Sequence, residues 1–266
     1  MKFSREGELT QWVQAAASLR LFLDYDGTLV DFAPTPDRLD PDPTVVRLLE
    51  RLAKKANIST AVISGRRLPD LRVLLPIPGL YLGGTYGIEL LTPSGDTIYR
   101  ADYGAVRPVL ESIKRRWESL LSGRSGFFLE DKDWTLALHA RFAGAAEAAE
   151  VLAAARRAID PQTLAGRFRI LGGHRFLEIA PRLASKREAV LYLLGQFPVS
   201  GARIIYVGDD DKDEEAFPLI HEQGGAAIKV AQPSQASSST EADYIFESPQ
   251  KAVHWLESLV GSDKLG

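Results

Sequence analysis

The chain has 266 residues and a mass of 29.2 kDa, enough for one large domain or two smaller ones. It is 45% hydrophobic with a formal net charge of −3, a balance that argues against nucleic-acid or anionic-membrane binding. Cysteine is absent, which excludes disulfides, cysteine-ligated zinc, iron–sulfur clusters and thiol catalysis, and fits a cytoplasmic protein.

The first twenty residues lack the uninterrupted apolar core of a signal peptide, and no apolar run approaches the ~18 residues of a membrane span. Leu19–Leu23 reads as a short buried strand that ends in Asp24. Residues 43–55 read as a helix, apolar at 45, 46, 48, 49 and 52, with Asp42 as cap, Pro43 in the first turn and Lys54 and Lys55 in the last. Ile58–Ile63 is β-branched and strand-like, and residues 64–75 read as the helix after it. Residues 80–91 and 97–99 read as a hairpin turning at Pro93-Ser94-Gly95-Asp96.

The middle has a different rhythm. Residues 106–121 are an amphipathic helix with Val109, Leu110, Ile113, Trp117 and Leu120 on one stripe. Residues 127–142 are strand-like with a turn near Asp131, and 145–159 form an alanine-rich helix. Residues 168–171 and 174–180 flank Gly172-Gly173, a hairpin signal. Beyond them come a helix at 186–197, a strand at 203–207, a helix at 213–222, a strand at 226–230 and a helix at 250–260. The pattern predicts an α/β core with a mostly parallel sheet, residues 1–104 and 181–266, and an inserted α+β domain, residues 105–180.

Four short segments carry candidate chemistry. In Asp24-Tyr25-Asp26-Gly27-Thr28, residues two apart face the same way, so both carboxylates can enter the crevice beyond the strand. A solvated turn fits the same residues. Between Asp209 and Glu215 six of seven residues are acidic, directly after another apolar strand. If the two strand ends are neighbours, a hard divalent cation would relieve the repulsion, and oxygen ligands suit Mg²⁺; a solvated helix start is the plainer alternative. Ser64-Gly65-Arg66 opens a predicted helix, where free N–H groups bind phosphate, although a serine cap explains it equally. Ser185 and Glu188 have capping-box spacing, which starts a helix at Lys186 and sets a lysine against the dipole unless an anion is near; a merely exposed lysine also fits.

Taken together and in this order, Leu23-Asp24-Tyr25-Asp26-Gly27-Thr28-Leu29, Ser64-Gly65-Arg66, Lys186 and Gly208-Asp209-Asp210 with Asp213 resemble the motifs of haloacid dehalogenase-like phosphatases. The likeness is greatest to the trehalose-6-phosphate phosphatase subfamily and includes residues 81–89, Leu129-Glu130-Asp131-Lys132, His139, Arg141 and residues 177–181. The resemblance implies a Rossmann-like parallel-sheet core with an inserted α+β cap. It implies Asp24 as nucleophile, Asp26 as general acid and base, Lys186 as charge clamp, and Thr28, Ser64, Gly65 and Arg66 around the phosphate. Asp24, the Asp26 carbonyl oxygen and Asp209 would hold Mg²⁺, supported by Asp210 and Asp213. Glu89, Tyr86, Glu130, Lys132 and Glu178 would hold the sugar. On one extended strand Glu130 and Lys132 share a face, as Glu178 does with His174 and Phe176, and a sheet of both would face the phosphate crevice with groups suited to sugar hydroxyls. Thr85, Tyr86, Ala180, Arg187 and Lys212 depart from the subfamily pattern. The expected activity is Mg²⁺-dependent hydrolysis of trehalose 6-phosphate by a monomer, with no nucleic-acid or membrane partner. The alternatives are another glycosyl phosphate, such as glucosylglycerol or glucosylglycerate phosphate, a sugar phosphomutase, or a non-catalytic sugar-phosphate sensor.

Overall fold

The structure is a computed structural model that describes residues 2–31, 39–160, 162, 166–173, 175–232 and 239–261. The chain divides into two compact units, one formed by Met1–Ile98 with Ser185–Gly266 and the other by Tyr99–Ala184. Among the described residues, no helix is long and apolar enough to cross a membrane.

The large unit is built on an eight-stranded sheet. Its strands are β1 (Leu19–Leu23), β2 (Ile58–Ile63), β3 (Tyr81–Gly84), β4 (Glu89–Leu91), β5 (Thr97–Tyr99), β10 (Arg203–Gly208), β11 (Ala226–Val230) and β12 (Tyr244–Phe246). The order is β12-β11-β10-β1-β2-β3-β4-β5, parallel from β12 to β3, with β4 antiparallel to β3. β1 is buried at all five positions. Its residues alternate between two helical layers, Leu21 and Leu23 among Leu48, Leu49, Leu52 and Trp255, and Phe22 among Ala189, Val190, Leu193 and Phe217. Register then fixes the functional end. Leu23 pairs with Val207 on one side and Val62 on the other, so Asp24, Ser64 and Asp209 leave the sheet at one edge.

Some local expectations fail for identifiable reasons. The helix expected at 64–75 begins only at Leu68 and runs to Leu74. The carbonyls of Ser64 and Arg66 accept instead from Tyr86 and Thr85 N–H, so they are committed to a neighbouring loop. Residues 80–91 are two strands, because a 3₁₀ turn at Thr85–Gly87 reverses the chain. The helix expected at 213–222 is two short ones, Asp211–Glu214 and Phe217–Glu222, with Pro218 opening the second. The helix Glu6–Gln14 and the edge strand β12 are additions to the sequence reading.

The small unit has an antiparallel sheet of β6 (Phe128–Asp131), β7 (Leu136–His139), β8 (Phe168–Gly173) and β9 (Phe176–Pro181), in the order β6-β7-β9-β8. Helices Tyr103–Leu121 and Ala145–Arg157 cover one face and are tied together by Trp117, whose indole N–H donates to Ala155 O at 3.0 Å. Gly172 and Gly173 are not the turn. They lie in β8 opposite Leu177 and Phe176, and the Phe176 ring fills the space a Cβ on Gly173 would need. His174 lies outside the described residues.

On the helix-covered face Asp131 takes two N–H donors from Arg107, at 2.6 and 2.7 Å, and one from Lys114 at 3.0 Å. The Arg107 bonds, with Lys114 in support, hold its carboxyl well below the usual range in spite of burial. A depressed folded pKa contributes stability fully above the unfolded value of about 4 and loses it as pH falls through the folded one. Asp131→Asn is therefore expected to lower stability by about 1–2 kcal/mol at pH 7. Urea denaturation should show the gap between wild type and variant narrowing below about pH 4.

Candidate active site

At the shared edge of the parallel strands, Asp24 is 4% exposed and Lys186 3%. The Lys186 Nζ lies 2.7 Å from Asp24 Oδ1 and 2.7 Å from Asp213 Oδ1. Burial opposes the ammonium, but Asp213 and Asp24 outweigh it and hold its pKa well above the ordinary value. Lys186 does begin its helix as expected. The expected Ser185–Glu188 capping box does not form, because the Ser185 hydroxyl donates to Glu215 and Glu188 pairs with Arg187. The Tyr206 hydroxyl, fully buried on β10, donates to the same Asp213 Oδ1 at 2.6 Å.

The capping box falls instead at Asp210 and Asp213. Asp210 accepts from Lys212 and Asp213 N–H, while Asp213 Oδ2 accepts from Asp209 and Asp210 N–H at 3.1 Å each. With Lys186 and Tyr206 on the other oxygen, all the acceptor sites of Asp213 are taken. Gly208 makes this possible, since a Cβ there would sit 2.2 Å from Asp213 Cγ. Lys212 closes on Asp210 at 2.8 Å.

Asp209 is the exception. The Thr28 hydroxyl lies 3.2 Å from both Asp209 Oδ1 and Asp24 Oδ2. Asp209 Oδ2 is buried with no partner among the described residues. Burial, reinforced by Asp24 and Asp213, pushes its carboxyl up to about 10. Oxygens of Asp24, Asp209 and Asp213 lie within 4.8 Å of one another, a spacing that could hold a metal ion, and with Asp213 already engaged Asp24 and Asp209 are the two with room for it. Four carboxyl groups, Asp24, Asp209, Asp210 and Asp213, face two ammoniums, Lys186 and Lys212. A cation would take the place of the proton that burial favours on Asp209, and an all-oxygen donor set suits a hard one.

Asp26 lies beside this cluster in sequence but is engaged elsewhere. Arg66 Nε and Nη2 donate to its two oxygens at 2.7 Å each, a bidentate pair. Ser64 is buried, and its Oγ accepts from Arg66 N–H at 3.1 Å. Next to that loop Thr85 and Tyr86 adopt φ of 48° and 55°, a left-handed conformation costly for side-chain-bearing residues. The hydroxyl end of the Tyr86 ring lies against Gly65, where a Cβ would meet it at 2.8 Å. Glu89 Oε2 accepts from Leu68 N–H and the Thr85 hydroxyl at 3.2 Å each, bracing the strained turn.

In the small unit the sheet face away from the helices carries Glu130, Lys132 and Glu178. Lys132 Nζ lies 3.4 Å from Glu178 Oε1 and 3.7 Å from Glu130 Oε2. The Thr135 hydroxyl donates to Glu178 Oε1 at 2.6 Å, and His139 Nε2 meets Glu130 Oε2 at 2.9 Å. The sequence-selected residues of the large unit thus gather as Asp24, Thr28, Lys186, Asp209, Asp210 and Asp213, with Asp26 joined to Arg66. Sequence reasoning missed Tyr206 and Thr135. Tyr206 had a faint signal, a hydroxyl-bearing residue inside the apolar run of β10.

Comparison with known proteins places this arrangement in a family. The profile of the family described as Trehalose-phosphatase matches residues 22–250. The trehalose-phosphate phosphatase of Mycobacterium tuberculosis is 31% identical over 243 residues, 90% of this chain but 60% of that protein, so the chain spans about 60% of the length of such relatives. A probable trehalose-phosphate phosphatase of Sinorhizobium fredii is 32% identical over 221 residues, 82% of this chain and 80% of that one. The C-terminal domain of the Candida albicans trehalose-6-phosphate phosphatase superposes with a TM-score of 0.84 over 98% of both chains at 19% identity, which establishes the shared fold. A profile match across most of the chain, together with relatives above 30% identity, shows that this protein belongs to the trehalose-phosphatase family.

Proposed function

We propose that the chain is a Mg²⁺-dependent phosphatase that hydrolyses trehalose 6-phosphate through an aspartyl-phosphate intermediate. The observation that carries this reading is the buried Asp24 carboxylate, 2.7 Å from Lys186 and beside the unpartnered Asp209 Oδ2. Family membership supports trehalose 6-phosphate as the substrate. The partner is a small sugar phosphate. The absence of cysteine supports a cytoplasmic setting, and we take the active species to be a monomer.

In the first half-reaction an Asp24 oxygen attacks phosphorus, and the bond from phosphorus to the sugar oxygen breaks with its electron pair passing to that oxygen. Asp26 supplies the proton that makes it a hydroxyl. In the second half Asp26 takes a proton from water as the water oxygen attacks phosphorus and releases Asp24. Lys186 and the Thr28 and Ser64 hydroxyls neutralise and orient the phosphoryl oxygens. Asp24 and Asp209, with the Asp26 carbonyl oxygen, would hold Mg²⁺, while Asp210 and Asp213 anchor the loop and Lys186. When bound, the ion supplies Lewis-acid neutralisation of the transferring group. Both Asp26 oxygens accept from Arg66, so proton donation requires one of those bonds to open as phosphate offers Arg66 a second anion. Residues 105–180 act as the specificity cap, with Glu130, Lys132 and Glu178 on the sugar, while Tyr86 and Glu89 shape the phosphate side.

Asp24→Asn should cut phosphate release by at least about a thousandfold while leaving circular dichroism unchanged. Activity near wild type would remove Asp24 as nucleophile. Asp26→Asn should slow trehalose 6-phosphate by about 10²–10⁴-fold and p-nitrophenyl phosphate far less, since an activated leaving group hardly needs the acid. Equal losses on both would contradict the acid role. Mg²⁺ at a hundredfold its Kd should stabilise the wild type by about 2.7 kcal/mol, a rise of several degrees in Tm, and Asp209→Ala should abolish that rise. An identical response from both proteins would remove Asp209 from the metal site.

A further inference from the structure

His139 was singled out by the sequence but has no part in the chemistry above. It ends β7, directly opposite Phe128 on β6 and Phe176 on β9. The imidazole stacks on Phe128 at 4.5 Å with planes 11° apart, and Phe176 lies 6.3 Å away on its other side. Phe176 is itself pressed against Gly173, the position on β8 that has no side chain to resist it. The three rings form a row across the sheet and leave the imidazole little freedom to turn.

The row aims His139 Nε2 at Glu130 Oε2, 2.9 Å away. Lys132 approaches the same oxygen at 3.7 Å. Both contacts fall on Oε2, and among the described residues none falls on Oε1 of this partly exposed carboxylate. On the neighbouring strand the Thr135 hydroxyl serves Glu178 in the same way, and Lys132 is shared between the two carboxylates. Each acid therefore has its own uncharged or neutral-capable donor. An imidazole N–H donates to a carboxylate whether or not the ring is charged, so this contact does not depend on His139 carrying a proton on both nitrogens.

We propose that His139 is a positioning residue for sugar recognition. It locks the Glu130 carboxylate in the rotamer that presents one oxygen to a substrate hydroxyl. This rests on the reading of Glu130 as a sugar contact, and the test separates the two claims. His139→Phe keeps the row of rings and deletes the donor. His139→Gln keeps a side-chain N–H. Glu130→Ala sets the scale. For each variant, and for His139→Phe combined with Glu130→Ala, kcat/KM is measured on trehalose 6-phosphate and on p-nitrophenyl phosphate, and their ratio is compared with wild type.

The ratio should fall about tenfold in His139→Phe, mainly through KM, and at least as far in Glu130→Ala. His139→Gln should recover to within about threefold of wild type. The double variant should fall no further than Glu130→Ala alone, because the imidazole acts only through that carboxylate. A wild-type ratio in His139→Phe, or losses that add in the double variant, would overturn the positioning role while leaving Glu130 as a sugar contact. A wild-type ratio in Glu130→Ala would overturn the sugar reading of this face and the positioning role with it. Parallel losses on both substrates in His139→Phe would mark a purely structural histidine and overturn the proposal.

Discussion

One buried ammonium organises the functional end of the large unit. Lys186 stands between Asp24 and Asp213 at 2.7 Å from each, and its charge offsets part of the burial that pushes both carboxyls up. Its position is set by the helix that begins at Lys186 and packs Ala189, Val190 and Leu193 under the sheet. Asp213 in turn is held by Tyr206 and by two main-chain N–H groups, so Lys186 is aimed at Asp24 by a fully satisfied anchor. The nucleophile proposed for the reaction is thus oriented by packing that reaches well into the core.

That arrangement is expensive for the fold. Four carboxyl groups crowd one edge, Asp209 keeps a buried oxygen without a partner among the described residues, and Thr85 and Tyr86 occupy left-handed conformations nearby. Proteins concentrate such features where function needs them and offset them elsewhere. Here the offset is the apolar interior of the central strands, buried on both faces, and the braces supplied by Glu89 and Arg66. A divalent cation would remove much of the remaining electrostatic cost, which connects stability to the same site that would carry out the chemistry.

The strand ends were legible in the sequence because parallel strands read as apolar runs that stop abruptly, and Asp24 and Asp209 sit at those stops. Register then joins them, with Leu23 opposite Val207. The helix at 43–53 was equally legible, since Asp42 and Pro43 form a local start signal that tertiary contacts do not disturb. What the sequence concealed was non-local competition. Ser64 looked like a helix cap, but its carbonyl is claimed by Tyr86 and the helix starts four residues later. Ser185 looked like a capping box, but Glu215, thirty positions away, takes its hydroxyl. The Glu89 carboxylate accepts from the Thr85 hydroxyl and the first N–H of a helix, bonds that its place in the sequence does not announce. Local pattern cannot weigh partners that distant folding brings near.

The proposed reaction requires that Asp24 become covalently phosphorylated. Acid quenching during steady turnover of trehalose 6-phosphate with Mg²⁺, followed by mass spectrometry of the peptide containing residues 19–31, measures this directly. The account predicts the added mass of one phosphoryl group on Asp24, lost on treatment with hydroxylamine and absent from Asp24→Asn. Sustained turnover with no label on Asp24 at any quench time, even in the Asp26→Asn protein where breakdown of the intermediate should be slow, would contradict it.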